Sequence, residues 1–376
     1  MSGTARIRVH LGPRSYTVAV GAGILPDLGR AAARAVPGRR VLIVADGAVV
    51  DALGPLVASS LHAAGFEAHL TSVPPGEGSK TLQGAARLYD AALDCGLDRG
   101  SCIVALGGGV VGDLAGLVAA TYLRGIAFIQ VPTTLLAQID SSVGGKVAVD
   151  HPRGKNLIGA FHQPRLVWCD VAVLDSLPAV ELSAGLAEAV KAGILADARY
   201  YGFVRRRAAA LLERDPAALQ RMVAGAVRIK AAFVEADETE VWPPPGGGGG
   251  PERSRMALNL GHTLGHAIEA VAGFGTIRHG DAVAIGMVAA GRIALGRGLW
   301  SNRFQAGLED TLAALRLPRR IPGLAASELQ TAMRLDKKAA AGKLRYVLPV
   351  RPGEVVVVDD VTEAELAGVL RALGAA

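Results

Sequence analysis

SCIVALGGGVVGD, residues Ser101 to Asp113, reads as a buried strand, a glycine turn and the opening of a helix, with no spacer between them. A strand that feeds a helix directly is the unit of a parallel α/β sheet. Backbone N–H groups and a helix N-terminus at such a turn can meet a pyrophosphate, which gives GGGVVGD (Gly107 to Asp113) a candidate cofactor role. Gly107, Gly109 and Gly112 satisfy GxGxxG, yet the stretch departs from the ordinary dinucleotide fingerprint. It does not follow the first strand, and no acidic residue stands about 20 positions later. A tight turn without a ligand is the alternative. Asp46, which ends the earlier run RVLIVAD, is better placed for a ribose, or simply caps its strand.

Outward from this turn, the first half alternates apolar β-branched runs with helical stretches. RIRVHL and YTVAVG, separated by Gly-Pro, read as a hairpin; EAHLTSV, AFIQVP and LVWCD read as further strands. Helices are expected near 48–65, 80–95 and 112–121. From about Leu177 the periodicity turns helical over 181–196, 216–236, 255–272 and 280–298, before a late hairpin and a closing helix. The expected architecture is therefore an α/β domain with a parallel sheet over residues 1–176 and a mainly α-helical domain over 177–376. WPPPGGGGGP (Trp242 to Pro251) cannot pack as helix or strand and reads as a solvated loop, with a mobile lid as the alternative.

With 376 residues, 51% of them apolar, the chain can fill two cores. Its start has no apolar leader run, and no stretch reads as a membrane span, so a cytoplasmic protein is expected. Three cysteines without CxxC spacing argue against disulfides or a thiolate metal site. The net charge of +6 comes without an aromatic-interleaved basic stripe, which points away from nucleic acid and toward a small anionic substrate. Only eight of the 40 basic residues are Lys, at 80, 146, 155, 191, 230, 337, 338 and 343. Lys is a compact charge with a mobile pKa, so a chain that otherwise prefers Arg keeps it where phosphate binding or proton transfer needs it.

Most of these lysines fall inside motifs. PTTLLAQIDSSVGGKVAVDHPRGKNLIGAF (Pro132 to Phe161) pairs Gly144 and Gly145, which admit a ligand close to the backbone, with the anion donors Lys146, Lys155 and Asn156. GEGSK adds Glu77 and Lys80, which alone would be helix-start charges. GLAEAVK sets Glu188 and Lys191 at i and i+3 on one helical face; by itself that is an ordinary surface ion pair. GHTLGHAIE sets His262 and His266 at i and i+4, and RHGD adds His279. One carboxylate and two imidazoles suit zinc or cobalt with a position left for substrate. Spacing does not say which two histidines those are.

These motifs, in this order and over nearly the whole chain, resemble the 3-dehydroquinate synthase family of the sugar phosphate cyclases, most specifically in GGGVVGDLAG, VPTTLLAQIDSSVGGK, GKNLIGAF, GLAEAVK and LNLGHTLGHAIE. The resemblance implies an N-terminal NAD-binding α/β domain, a Zn2+ or Co2+ ion in a helical C-terminal domain, and a homodimer. It makes Glu188, His262 and His279 the metal ligands and puts His266 beside Asn259 on the substrate side. Lys146, Asn156, Lys191, Lys230 and Arg255 match substrate-site positions, Arg124 reaches the neighbouring subunit, and Lys337 or Lys338 supplies a further cation. NAD contacts fall on Asp46, Glu77, Lys80, Gly108, Gly109, Asp113, Thr133, Thr134 and Asp140, with Lys155 and Ser176 joining them. Two departures stand out: Ala48 replaces a frequent Asn, and the loop before Arg255 is expanded.

The implied reaction takes 3-deoxy-D-arabino-heptulosonate 7-phosphate, an acid and a phosphate ester, to 3-dehydroquinate, with NAD restored at each turnover. The rivals are a cyclase of another substrate, such as an aminodehydroquinate synthase, and a metal- and NAD-dependent polyol dehydrogenase. A non-catalytic binding protein would leave the metal ligands without purpose.

Overall fold

A computed structural model describes residues 3–240, 254–273, 275–321, 323–339 and 344–376, with the side chains of 335–339 left out. Trp242 to Pro251, read above as a loop or lid, lies outside the described residues. The chain forms two compact units, one of Met1–Leu177 with Leu219–Glu235 and one of Pro178–Ala218 with Ala236–Ala376. The expected division put Leu219–Glu235 in the helical domain. In the structure that helical stretch belongs with the first unit, where Gln220 Nε2 donates to the Gly3 carbonyl at 2.8 Å and Lys230 to Asp140.

The first unit strings together β1 (Ala5–Val9), β2 (Tyr16–Gly21), α1 (Leu28–Ala35), β3 (Arg40–Asp46), α2 (Val50–Ala63), β4 (Glu67–Val73), α3 (Leu82–Asp94), β5 (Cys102–Gly107), α4 (Gly109–Thr121), β6 (Ala127–Pro132), β7 (Lys146–His151), β8 (Gly154–Phe161) and β9 (Leu166–Asp170). Seven strands form one sheet in the order β1-β2-β9-β6-β5-β3-β4. The expected hairpin is there, with β1 antiparallel to β2, and all other pairings in this sheet are parallel. Side chains alternate across the sheet. Val41, Ile43 and Ala45 of β3 join Leu28, Val57 and Leu61 of α1 and α2 on one face. Leu42 and Val44 join Leu88, Leu114 and Val118 of α3 and α4 on the other. A strand buried on both faces reads as an unbroken apolar run, which is why RVLIVAD was legible.

Strand order reverses at β3: the chain moves outward to β4, then returns past β3 to β5. Ligands of open α/β sheets bind at such a reversal, outside the carboxyl ends of the strands. Here those ends are Asp46 and Gly107, beside each other because Ala45 is in register with Leu106. One element escaped the sequence reading. Lys146–His151 and Gly154–Phe161 pair as a separate antiparallel hairpin within the stretch treated above as a ligand-approach segment.

The second unit contains α5 (Ala179–Ala196), α6 (Ala198–Arg206), α7 (Ala208–Leu212), the first and last residues of α8 (Pro216–Ala236), α9 (His262–Ala272), α10 (His279–Gly296), α11 (Asn302–Ala314), α12 (Ala326–Ala339), β10 (Tyr346–Arg351), β11 (Glu354–Val358) and α13 (Glu363–Ala372). Helix α10 is buried along most of its length. The continuous helix expected over 255–272 is broken. Gly261 takes φ +81°, so a 3-10 turn over Arg255–Asn259 ends there and α9 starts afresh at His262.

The end of α10 is tied to α13 by charge. Arg297 reaches Glu365 at 2.6 Å and Asp360 at 2.6 Å, while Glu365 also closes a capping box with Thr362. The Arg297 bond, then the Thr362 backbone, hold the Glu365 carboxyl down at about 2, against an ordinary 4.5. A depressed carboxyl stabilises the fold above its unfolded value and loses that contribution as pH falls toward the folded one. The melting-temperature gap between wild type and Arg297→Met is therefore expected to be largest above pH 5 and to close as pH falls from about 4.5 toward 2. A gap independent of pH across that window would contradict the assignment.

Candidate metal centre and phosphate cradle

Glu188 stands in the middle of α5 and is 2% exposed, His262 is the first residue of α9, and His279 is the first of α10. Glycines bring the three together. A Cβ on Gly280, next to His279, would lie 1.9 Å from the carbonyl of Ala184, one helical turn before Glu188. A Cβ on Gly286 would lie 1.9 Å from the carbonyl of Gly261, just before His262. Only bare backbone lets α10 sit this close to both neighbours.

The Nε2 atoms of His262 and His279 each lie 3.7 Å from Glu188 Oε1, and one ligand atom from each of the three residues falls within 4.8 Å of the others. Metal bonds of about 2.0–2.1 Å in tetrahedral geometry put donors about 3.4 Å apart, so each imidazole stands within a few tenths of an ångström of that spacing from Glu188. The far side of each ring is already anchored. His262 Nδ1 donates to the Leu260 carbonyl at 3.2 Å, and His279 Nδ1 to Glu269 Oε2 at 3.1 Å. Those bonds hold the Nδ1 proton and turn both Nε2 atoms toward Glu188, so each ring can offer its Nε2 lone pair once a metal binds.

Lys191 forms an ion pair with Glu188 Oε2; both side chains are under 5% exposed, so this is a buried pair and not a surface one. Burial disfavours the Glu188 charge, but Lys191, then His279 and His262, outweigh it and hold the carboxyl well below its usual range. Burial and the Lys191 charge push His262 well below its ordinary value. His279 goes the other way: burial opposes its charge, yet the bonds to Glu188 and Glu269 raise it to about 10. Cation binding at Nε2 is thus coupled to release of a proton.

His266 lies outside the Glu188 set. It is exposed, one turn along α9 from His262, and shares a second cluster with Glu269 and His279. Glu269 escaped the sequence reading although its signal was present, since 262, 266 and 269 fall on one helical face. Arg255 is buried, its amide donating to Asp237 and Nη1 to the Glu238 carbonyl at 2.8 Å. Asn259, half-buried, ends the same turn. Lys337 and Lys338 lie on α12, with side chains outside the described residues.

In the first unit the bare end of β5 faces the strand reversal. A Cβ on Gly107 would meet Asp46 Cβ at 3.1 Å, one on Gly108 Thr134 Cγ2 at 3.1 Å, and one on Gly109 Ser141 Oγ at 3.0 Å. Asp46 itself accepts from the Ala48 amide at 2.9 Å, the cap expected of a strand-end Asp. Thr133 continues the end of β6, its amide donating to the Gly107 carbonyl. Nearby, buried Lys80 donates to Asp113 Oδ2 at 2.6 Å and to Asn156 Oδ1, and stands 3.9 Å from Glu77; Lys155 is 3.8 Å from the same carboxylate. Burial, more than its neighbours, pushes the Asp113 carboxyl up despite Lys80. Asn156 holds φ +57°, a left-handed value that Asn tolerates. Lys230 donates to the Asp140 carbonyl at 2.6 Å and to its Oδ1 at 2.7 Å. Lys146 opens β7 exposed. Arg124 is exposed in a turn with φ +70°, and Ser176 Oγ donates to the Val173 carbonyl.

Comparison with known proteins decides what this geometry belongs to. The N-terminal domain profile of 3-dehydroquinate synthase matches residues 70–184, and the C-terminal domain profile matches 185–339. A 3-dehydroquinate synthase of Desulforamulus reducens is 47% identical over 97% of this chain and 99% of its own length. The chain belongs to the 3-dehydroquinate synthase family. Among solved structures, 2-epi-5-epi-valiolone synthase from Streptomyces hygroscopicus subsp. jinggangensis, with NAD+ and Zn2+ bound, has a TM-score of 0.86 at 28% identity, covering 99% of this chain and 98% of that one. A 2-deoxy-scyllo-inosose synthase complexed with carbaglucose-6-phosphate, NAD+ and Co2+ has a TM-score of 0.84 at 25% identity, covering 98% and 100%. The α/β plus helical architecture of this 3-dehydroquinate synthase family member is thus shared with sugar phosphate cyclases.

Gly280→Ala tests the close approach of α10 to α5. The added methyl is expected to cost about 2 kcal/mol in urea unfolding and to weaken zinc binding by the same variant. Wild-type stability and affinity would show that the contact does not set the ligand geometry.

Proposed function

We propose that this chain converts 3-deoxy-D-arabino-heptulosonate 7-phosphate to 3-dehydroquinate and phosphate, as a carbon–oxygen lyase of aromatic amino acid biosynthesis. Family membership over nearly the full length carries the reading, and the anchored Glu188, His262 and His279 set supports its metal requirement. Glu188, His262 and His279 would hold Zn2+ or Co2+, and NAD would take Asp46, Glu77, Lys80, Gly108, Gly109, Asp113, Thr133, Thr134, Asp140, Lys155 and Ser176. When bound, NAD accepts and returns a hydride, while the divalent ion polarises a substrate hydroxyl.

The chain's own groups supply binding and proton control. Lys191, held beside Glu188, gives a buried positive charge next to the metal ligands, where it favours an ionised substrate oxygen. His266, exposed on the face that carries His262, is the imidazole positioned to exchange a proton at the substrate side. Arg255 has its guanidinium oriented by the Glu238 carbonyl, and with Asn259 and Lys337 or Lys338 it is assigned to substrate oxygens. In the first unit Lys146, Asn156 and Lys230 are the proposed donors to the anionic substrate, and Lys230 is steered by Asp140. Arg124, exposed at its turn, is assigned to a neighbouring subunit of a homodimer. A cytoplasmic location fits the reading; among the described residues no helix is long and apolar enough to cross a membrane.

The experiment is phosphate release from 3-deoxy-D-arabino-heptulosonate 7-phosphate with catalytic NAD and zinc or cobalt, the product identified by mass. One phosphate per dehydroquinate, without net NADH, is expected, and Lys191→Met is expected to lower kcat at least about 100-fold. No release with metal and NAD bound would move the assignment to another cyclase substrate. Net NADH formation from a simple polyol would move it to a dehydrogenase.

A further inference from the structure

Glu269 is a buried carboxylate that neither the motif reading nor the reaction accounts for. It lies on α9, three residues after His266 and seven after His262, and its side chain is only 10% exposed. Its Oε2 is 3.1 Å from His279 Nδ1, and His266, Glu269 and His279 offer ligand atoms within 4.8 Å of one another. Two arrangements fit such a cluster: a second cation, or a support for the first.

The imidazole of His279 decides between them. A neutral ring has one lone pair and one N–H. With a metal on Nε2, which faces Glu188 Oε1 at 3.7 Å, the ring's one proton belongs on Nδ1, where it is donated to Glu269. A second ion on Nδ1 would have to remove that proton and break the bond. The carboxylate also comes from α9, which already supplies His262, so one helix provides a ligand and orients the ligand of another.

We propose that Glu269 is a positioning residue: it fixes the tautomer and ring plane of His279, and so sets the affinity and specificity of the metal centre for one ion per chain. This rests on Glu188, His262 and His279 being metal ligands.

The test is titration of zinc and cobalt into metal-free wild type, Glu269→Gln, Glu269→Asp and Glu269→Ala, with the cobalt visible spectrum and the metal-free melting temperature recorded for each. Wild type is expected to bind one ion. Glu269→Ala is expected to bind 10–100-fold more weakly, on the order of losses at orienting partners of metal ligands, with a changed cobalt spectrum. Glu269→Asp, too short to reach Nδ1, is expected to follow it even if the Ala variant does not fold. Glu269→Gln keeps an oxygen acceptor for Nδ1–H and is expected to recover most of the affinity. Wild-type affinity and spectrum in a folded Ala or Asp variant would overturn the proposal while leaving the metal centre intact. Two ions per wild-type chain, one of them lost with Glu269, would overturn it in favour of a second cation. No ion bound by wild type would remove the underlying metal reading instead.

Discussion

A carboxylate sealed from water is costly unless opposite charge or hydrogen bonds surround it, and Glu188 is such a group. Its ion pair with Lys191 and the two facing imidazoles are its compensation, and the helical unit is built to deliver them. Helix α10 carries His279 and is buried along most of its length, so a displacement of it moves that imidazole. The left-handed Gly261 restarts the chain as α9 at His262, and Gly280 and Gly286 let α10 touch the backbone of both partners. Removing one partner of a buried charged group leaves the others uncompensated, which makes this arrangement all or none.

The α/β unit solves a different problem, the approach of a ligand to backbone. Strand order reverses at β3, and at the end of β5 three successive glycines let the side chains of Asp46, Thr134 and Ser141 come close to bare backbone. Around it, the few lysines of this arginine-rich chain are held by specific acceptors. Lys80 is fixed by Asp113 and Asn156, and Lys230 by Asp140. A compact ammonium fits these enclosed positions, where a guanidinium fork would need more acceptors and more room.

Local signals made much of this legible. The apolar runs of β3 and β5, the glycine turn and the first hairpin follow from nearest-neighbour chemistry; RVLIVAD spans β3 residue for residue, and β5 gives way to α4 within SCIVALGGGVVGD. What escaped depends on contacts distant in sequence. Periodicity showed a helix over 216–236, but its membership in the first unit depends on partners such as Gly3 and Asp140. The break at Gly261 was hidden because apolar residues run through it, and β7 and β8 were hidden because Lys146, Lys155 and Asn156 read first as anion donors. Histidine spacing does not choose among 262, 266 and 279; the structure adds that 262 and 279 are anchored through Nδ1 with Nε2 facing Glu188. Glu269 was overlooked because an acidic residue at a helical i+3 position is ordinarily a solvated one, and only its burial shows otherwise.

Two imidazoles and one carboxylate are the metal centre we propose for a redox-neutral cyclisation. X-ray absorption at the zinc edge of the zinc-loaded protein tests the ligand set most directly. Only nitrogen and oxygen donors at about 2.0–2.1 Å are expected, with multiple scattering from two imidazoles. Sulfur at about 2.3 Å, or scattering from three imidazoles, would contradict it.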